Sequence, residues 1–180
     1  QERISATTGN EQFPAGDASA RYISQVVPAS RPEGGAGEKF FFAVRGYMPK
    51  EGGVTVYVRA RNENDPEPIE DKIFTQCEEY FTRPAEQSTL GDFTSSTTKL
   101  FRLFSATGTT DTGFATANAN KLFENTLDNK IIAYASTDGS RYSGIDYIQY
   151  KIVLTRPDGK GRDYTPSIHN LTSVTHKRPV

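Results

Sequence analysis

Tryptophan is absent from the 180 residues, and cysteine, methionine and histidine occur only once, once and twice. A single cysteine, Cys77, allows no internal disulfide and no cysteine-built metal cluster, which suits assembly in a reducing cytosol. Without tryptophan there is none of the Cys–Trp–Cys pattern of antibody-type domains. Neither sign of charge prevails, with 21 Lys and Arg against 22 Asp and Glu and a formal net charge of −1. A nucleic-acid partner would favour a basic stripe, and the sequence holds none. Apolar runs end after a few residues, as in Phe40–Val44, whereas a membrane-spanning helix needs about 18. The chain opens at Gln1 with neither Met nor a signal-like apolar core, so the expectation is a processed product or a portion of a longer polypeptide.

What is present is strand pattern and turn chemistry. The length fits one domain, with residues 1–20 as an extended arm rich in Gly, Thr and Ala, 21–176 as the folded unit, and 177–180 as a tail. Arg21–Val27 reads as the first strand, and prolines and glycines make Pro28–Glu38 a loop. Lys39–Met48 alternates, with Phe40, Phe42, Val44 and Met48 on one face and Phe41, Ala43, Arg45 and Tyr47 on the other. Val54–Arg61 also alternates, with Val54, Val56, Val58 and Ala60 opposite Thr55, Tyr57, Arg59 and Arg61. The short Pro49–Gly53 turn between these two strands predicts a β-hairpin.

Pro66 and Pro68 forbid regular structure over Asn62–Asp71, and Lys72–Glu78 predicts a short strand. Tyr80–Thr98 reads as a long connection and Lys99–Ser105 as a strand. Ala106–Asn129 fits either a short helix at Ala115–Leu122 or a decorated loop. Strands are expected at Lys130–Thr137, Ile145–Thr155 and Ile168–Thr175, with turns at Asp138-Gly139 and Pro157–Gly161. Strands that follow one another without crossover helices predict antiparallel sheets. The expected fold class is all-β, a two-sheet β-sandwich of jelly-roll or immunoglobulin-like type.

The chemistry-bearing residues do not converge on an active site in the sequence. His169 and His176 lie seven apart in a strand and tail, where surface histidines are the simpler reading than a catalytic base. Cys77 sits beside Glu78 and Glu79, whose charge would oppose thiolate formation, so a structural cysteine is expected. The acids Glu63, Asp65, Glu67, Glu70 and Asp71 form a loop that a calcium ion could use, although a solvated loop accounts for them as well. Asn170-Leu171-Thr172 matches the N-glycosylation tripeptide, which chance supplies in many chains. No phosphate-binding loop, dinucleotide fingerprint, HExxH or GxSxG occurs. The expectation is therefore a non-enzymatic chain with no catalytic, cofactor or metal residues.

Aromatics supply the remaining signal, with 11 Phe and 9 Tyr. Alternation points Tyr47, Tyr57, Tyr142 and Tyr147 outward, and Arg59 and Arg61 share a face with Tyr57. Tyr47, Tyr57, Arg59 and Arg61 are the expected interface residues, since Tyr and Arg are enriched in subunit contacts. Exposed tyrosines stacking on sugars, with calcium held at Asn62–Asp71, would instead make a carbohydrate-binding or adhesin-type module.

Five segments carry a family resemblance: Arg21–Val27, Val54–Arg61, Asn64–Lys72, Asp146–Val153 and Pro166–Leu171. Their order resembles a domain of tailed-bacteriophage virion proteins found in baseplate and tail-associated structural subunits. In that family an Arg-Tyr-Ile strand precedes a Val-x-Val-Tyr-Val strand, an acidic Pro loop ending in Asp-Lys, an aromatic-Lys-Ile-Val strand and a terminal Asn/Asp-Leu segment. This chain departs from the family in the Thr/Ala/Asn-rich insert at Ala106–Asn129. The resemblance implies a scaffolding piece of the virion, assembled in the host cytoplasm among other virion subunits. It implies no catalytic residue, no cofactor, no membrane or nucleic-acid contact and no small-molecule ligand.

Overall fold

A computed structural model describes residues 18–29, 39–72, 74–82, 87–102, 123–125, 132–136, 138–157 and 159–176. Among them the chain is mostly β-strand, arranged in antiparallel sheets with only two short 3-10 turns, Ile69–Asp71 and Arg162–Tyr164. The strands are β1 (Ala18–Ile23), β2 (Val27–Pro28), β3 (Lys39–Tyr47), β4 (Gly53–Arg61), β5 (Thr75–Gln76) and β6 (Glu78–Thr82). They continue with β7 (Thr97–Arg102), β8 (Phe123–Asn125), β9 (Ile132–Ala135), β10 (Arg141–Ser143), β11 (Tyr147–Thr155) and β12 (Ser167–His176).

One sheet runs β1-β11-β4-β5, with β2 also on β11, and a second runs β12-β3-β7-β6. A small third sheet runs β10-β9-β8. The alternation read from the sequence holds where it faces the core. Val54, Val56, Val58 and Ala60 of β4 are buried with Ile148, Tyr150 and Ile152 of β11. Phe42 and Val44 of β3 and Phe101 of β7 join the same cluster from the other sheet. The Phe42 and Tyr150 rings meet edge to face with centroids 5.0 Å apart, a geometry in which the edge of one ring meets the electron-rich face of the other. Each such side chain contributes about 1.5–3 kcal/mol by leaving water.

The expected hairpin is not formed. β3 pairs with β12 and β7, β4 pairs with β11 and β5, and the two strands lie in different sheets. The turn itself closes, with Gly52 N–H donating to the Pro49 carbonyl at 2.9 Å. The backbone leading into it is already engaged elsewhere, because Met48 N–H donates to Ser88 Oγ at 2.9 Å and Ser88 N–H returns to the Met48 carbonyl. At the end of β3, Gly46 stands against the bulge that β12 makes between Ile168 and Asn170. A Cβ on Gly46 would collide with the Ser167 carbonyl and come within 2.9 Å of Ile168 Cα. The link from β3 to β4 is therefore an arch that carries the chain from one sheet to the other.

Several other boundaries move. Residues Ala18–Ala20, expected in the arm, belong to β1; residues 1–17 and the 177–180 tail lie outside the described residues. The strand expected at Lys72–Glu78 is two strands, β5 and β6, and the long connection after Tyr80 starts only after Thr82. Arg141–Ser143, for which the sequence carries no strand expectation, forms β10 opposite β9 around the Asp138-Gly139 turn, where Gly139 has φ +87°. The helix considered at Ala115–Leu122 lies outside the described residues.

Candidate functional site

The densest polar constellation lies where the loop after β4 meets β9. Asn62 opens that loop and ties it down. Its Oδ1 accepts from Asn64 N–H at 3.0 Å, its Nδ2 donates to the Gly144 carbonyl, and its own N–H donates to Tyr134 Oη at 2.6 Å. Asp146, the residue before β11, accepts Glu63 N–H at 2.9 Å. Asp65 Oδ1 accepts Glu67 N–H at 3.0 Å, an Asx-turn that the flanking Pro66 supports. Arg61 Nε donates to the Asp65 carbonyl at 2.8 Å. These braces bring Asp65, Glu67 and Lys72 together although two prolines separate them.

Lys72 Nζ lies 2.6 Å from Asp65 Oδ2 and 2.7 Å from Glu67 Oε2. The side chains of Lys72 and Asp65 are 4% and 0% exposed, so the pair is out of bulk water. Tyr134 Oη donates to Asp65 Oδ2 at 2.6 Å. Ser136 Oγ stands 2.6 Å from Glu67 Oε2 and 3.1 Å from Asp65 Oδ1. The Lys72 ammonium also faces the Tyr134 ring, 5.0 Å from its centroid. Burial alone pushes the Asp65 carboxyl up, but hydrogen bonds from Lys72, Tyr134 and the Glu67 amide outweigh it and hold the carboxyl below its ordinary 3.8. Burial first, and then the hydrogen bond to Asp65, push the Tyr134 hydroxyl well above its ordinary 10.0.

The ammonium fills the place between Asp65 and Glu67 that the calcium reading gave to a metal ion. Among the described residues no group of three or more His, Cys, Asp or Glu could hold a metal ion. Cys77 is buried in the core, where desolvation pushes its thiol far above 9.0 and away from nucleophilic use. His169 is exposed and 3.3 Å from Ser167 Oγ. Nor does any described helix have the length and apolarity to cross a membrane.

The expected tyrosine–arginine face is not a surface. Tyr57 is 5% and Arg59 7% exposed. The segment after the 3-10 turn folds back over this side of β4 and β11, where Phe74, Tyr57 and Val153 form a second apolar cluster. Arg59 Nε donates to Gln149 Oε1 at 2.7 Å and Nη1 to the Glu70 carbonyl at 2.7 Å, with its guanidinium 4.5 Å from the Phe74 ring centroid. Lys151, fully buried, lies over both the Tyr57 and Phe74 rings. Tyr47 is also fully buried, because it staples two loops: its hydroxyl donates to the Asp163 carbonyl and accepts Gly91 N–H at 3.0 Å. Arg61 is half-buried and Tyr142 packs on the core. Of the tyrosines expected outside, Tyr147 is exposed. A sugar-stacking role for Tyr57 is overturned by the same burial.

The sequence reading does not single out Tyr22, Ile23 and Val26, which together with Tyr147 are open to solvent along β1, just before β2 and at the start of β11. Beside them an apolar cavity of about 560 Å³ opens between β1 and β12, lined by Tyr150, Ile152, Leu154, Ile168 and Leu171. Among the described residues β1 and β12 are each the terminal strand of their sheet. Set against protein-family models, curated proteins and solved structures, the chain has no match.

Proposed function

We propose that this chain is a non-enzymatic structural protein of a tailed-phage virion that holds neighbouring subunits together in the baseplate or tail. It works as a β-sandwich of jelly-roll or immunoglobulin-like type, with sheets β1-β11-β4-β5 and β12-β3-β7-β6 packed across the shared core. The observation that carries the reading is how the resembling segments sit in space. Arg21–Val27 and Val54–Arg61 flank Asp146–Val153 on its two sides, as β1, β4 and β11. Asn64–Lys72 is the loop closed by the Asp65–Lys72 contact, and Pro166–Leu171 enters β12 beside β3. Five motifs scattered along the chain thus form one connected scaffold, and none of them supplies a reactive site open to solvent.

The contact surface we assign lies at β1 and β12 rather than at Tyr57 and Arg59. Among the described residues β1 and β12, each the terminal strand of its sheet, flank an apolar cavity, and an extended segment of a neighbouring subunit would add there as a strand. The arm read from the sequence, shortened to residues 1–17 by the start of β1 at Ala18, is assigned as such a segment. Purified particles provide the test. Mass spectrometry is expected to find the chain at a fixed copy number, with cross-links from residues near Tyr22 or His169 to other virion proteins. Residues 1–17 are expected to be cut by protease in the isolated chain and protected in the particle. Absence from particles, or equal cleavage in both states, overturns the assignment.

A further inference from the structure

We propose that Lys72 and Asp65 condense into an intramolecular amide bond, with Glu67 as the catalytic residue that moves the protons. The ammonium lies 2.6 Å from Asp65 Oδ2, which holds the amine next to the carboxyl carbon it attacks and makes the reaction intramolecular. Both groups are removed from water, 4% and 0% exposed, so each ion is held against a desolvation cost. The amide is neutral, so forming it relieves that cost, and the released water leaves the site.

The remaining side chains supply what such a condensation needs. Glu67 Oε2, 2.7 Å from Lys72 Nζ, takes a proton from the ammonium and exposes the lone pair of the amine. That proton passes through Ser136 to Asp65 Oδ1, and Nζ then attacks the neutral carboxyl at Cγ to form the C–N bond. The Tyr134 hydroxyl, 2.6 Å from Oδ2, donates to the oxygen that remains on the carbon and bears the charge of the tetrahedral state. The other oxygen, Oδ1, faces Ser136 Oγ at 3.1 Å, and Ser136 Oγ touches Glu67 Oε2 at 2.6 Å. That chain relays protons from Glu67 to the leaving oxygen. Of the three hydrogens on the ammonium, two depart with Oδ1 as water and one stays on the amide nitrogen. One C–N bond forms, one C–O bond breaks, nothing is oxidised or reduced, and no co-reactant is consumed. The low exposure of both partners keeps solvent from competing.

The intact full-length chain, denatured and weighed, is expected to be lighter than its sequence by one water. Trypsin is expected to leave Lys72 uncut, and the peptide that contains it should give no backbone fragments between Asp65 and Lys72. A wild-type mass equal to the sequence mass overturns the proposal and leaves a plain ion pair. Lys72→Arg, which keeps the charge but cannot make this bond, is expected to restore the missing water; a deficit that persists there overturns the assignment to this pair. Glu67→Gln is expected to abolish or greatly slow the loss, and an unchanged extent of linkage overturns the role given to Glu67.

Discussion

At the scale of single residues, the buried charges decide how this chain responds to change. Arg59 is held by Gln149, by the Glu70 carbonyl and by the face of Phe74. Truncating it leaves Gln149 and a carbonyl without their charged donor and opens a void under Phe74. Arg59→Ala is therefore expected to destabilise the isolated chain by about 2–4 kcal/mol, read as a lower urea midpoint. An Arg59 that served only partners would leave that midpoint in place. Cys77 gives a pH signature. Its thiol is pushed up by burial in the folded chain from an ordinary 9.0. A raised value means that its stabilising contribution is complete below 9.0 and shrinks as the pH climbs from 9.0 towards the folded value. The slope approaches about 1.4 kcal/mol per pH unit. Urea midpoints measured between neutral pH and the alkaline range should fall less steeply for Cys77→Ala than for the native chain. Tyr134, also raised, adds its own loss from 10.0 upward in both proteins.

At the scale of elements, the approach of β3 to β12 is the most demanding contact. Gly46 lies against the β12 bulge where a methyl group would meet the Ser167 carbonyl and Ile168 Cα. Both obstacles are backbone, which cannot swing aside. Gly46→Ala is expected to cost about 1–3 kcal/mol and to raise hydrogen exchange along Ser167–His176; an unchanged exchange pattern would show that β12 is not seated on β3 there. The faces of β4 and β11 were legible in the sequence because a two-residue period says which side is apolar. Their neighbours were not, because the same period is blind to which strand lies alongside. A short Pro-Gly turn serves an arch as well as a hairpin, and what distinguishes them is Ser88 capturing Met48, forty residues away. The Tyr57–Arg59 side was misread for a related reason. Alternation assigns the second face to solvent by default, and only the return of Phe74 over it reverses that. The carboxylate–lysine site was half legible: the acids stood out, but Tyr134 and Ser136 arrive from β9 and its end with no local signal.

At the scale of the whole molecule, the side bounded by β1 and β12 leaves apolar surface open among the described residues. Tyr22 at 57% and Ile23 at 38% exposed keep much of their side chains in water. Tyr22→Ser with Ile23→Ser is expected to shift the melting of the isolated chain little, within the range of about 0.5 kcal/mol typical of surface changes. If the chain is the virion subunit proposed above, the same pair is expected to reduce incorporation into particles several-fold, measured as copies per particle by quantitative mass spectrometry. Normal incorporation would move the contact surface elsewhere.

The arch between β3 and β4 also has a consequence for how the protein comes into being. Each of these strands waits for a mate translated about ninety to a hundred and thirty residues after it, β4 for β11 and β3 for β12. Neither sheet can close while residues 147–176 remain inside the ribosome, so β3 and β4 each keep one edge open over that interval, whatever β7 and β5 cover on the other. A stop codon placed before Tyr147 would thus yield aggregate or proteolytic fragments rather than a smaller, working piece.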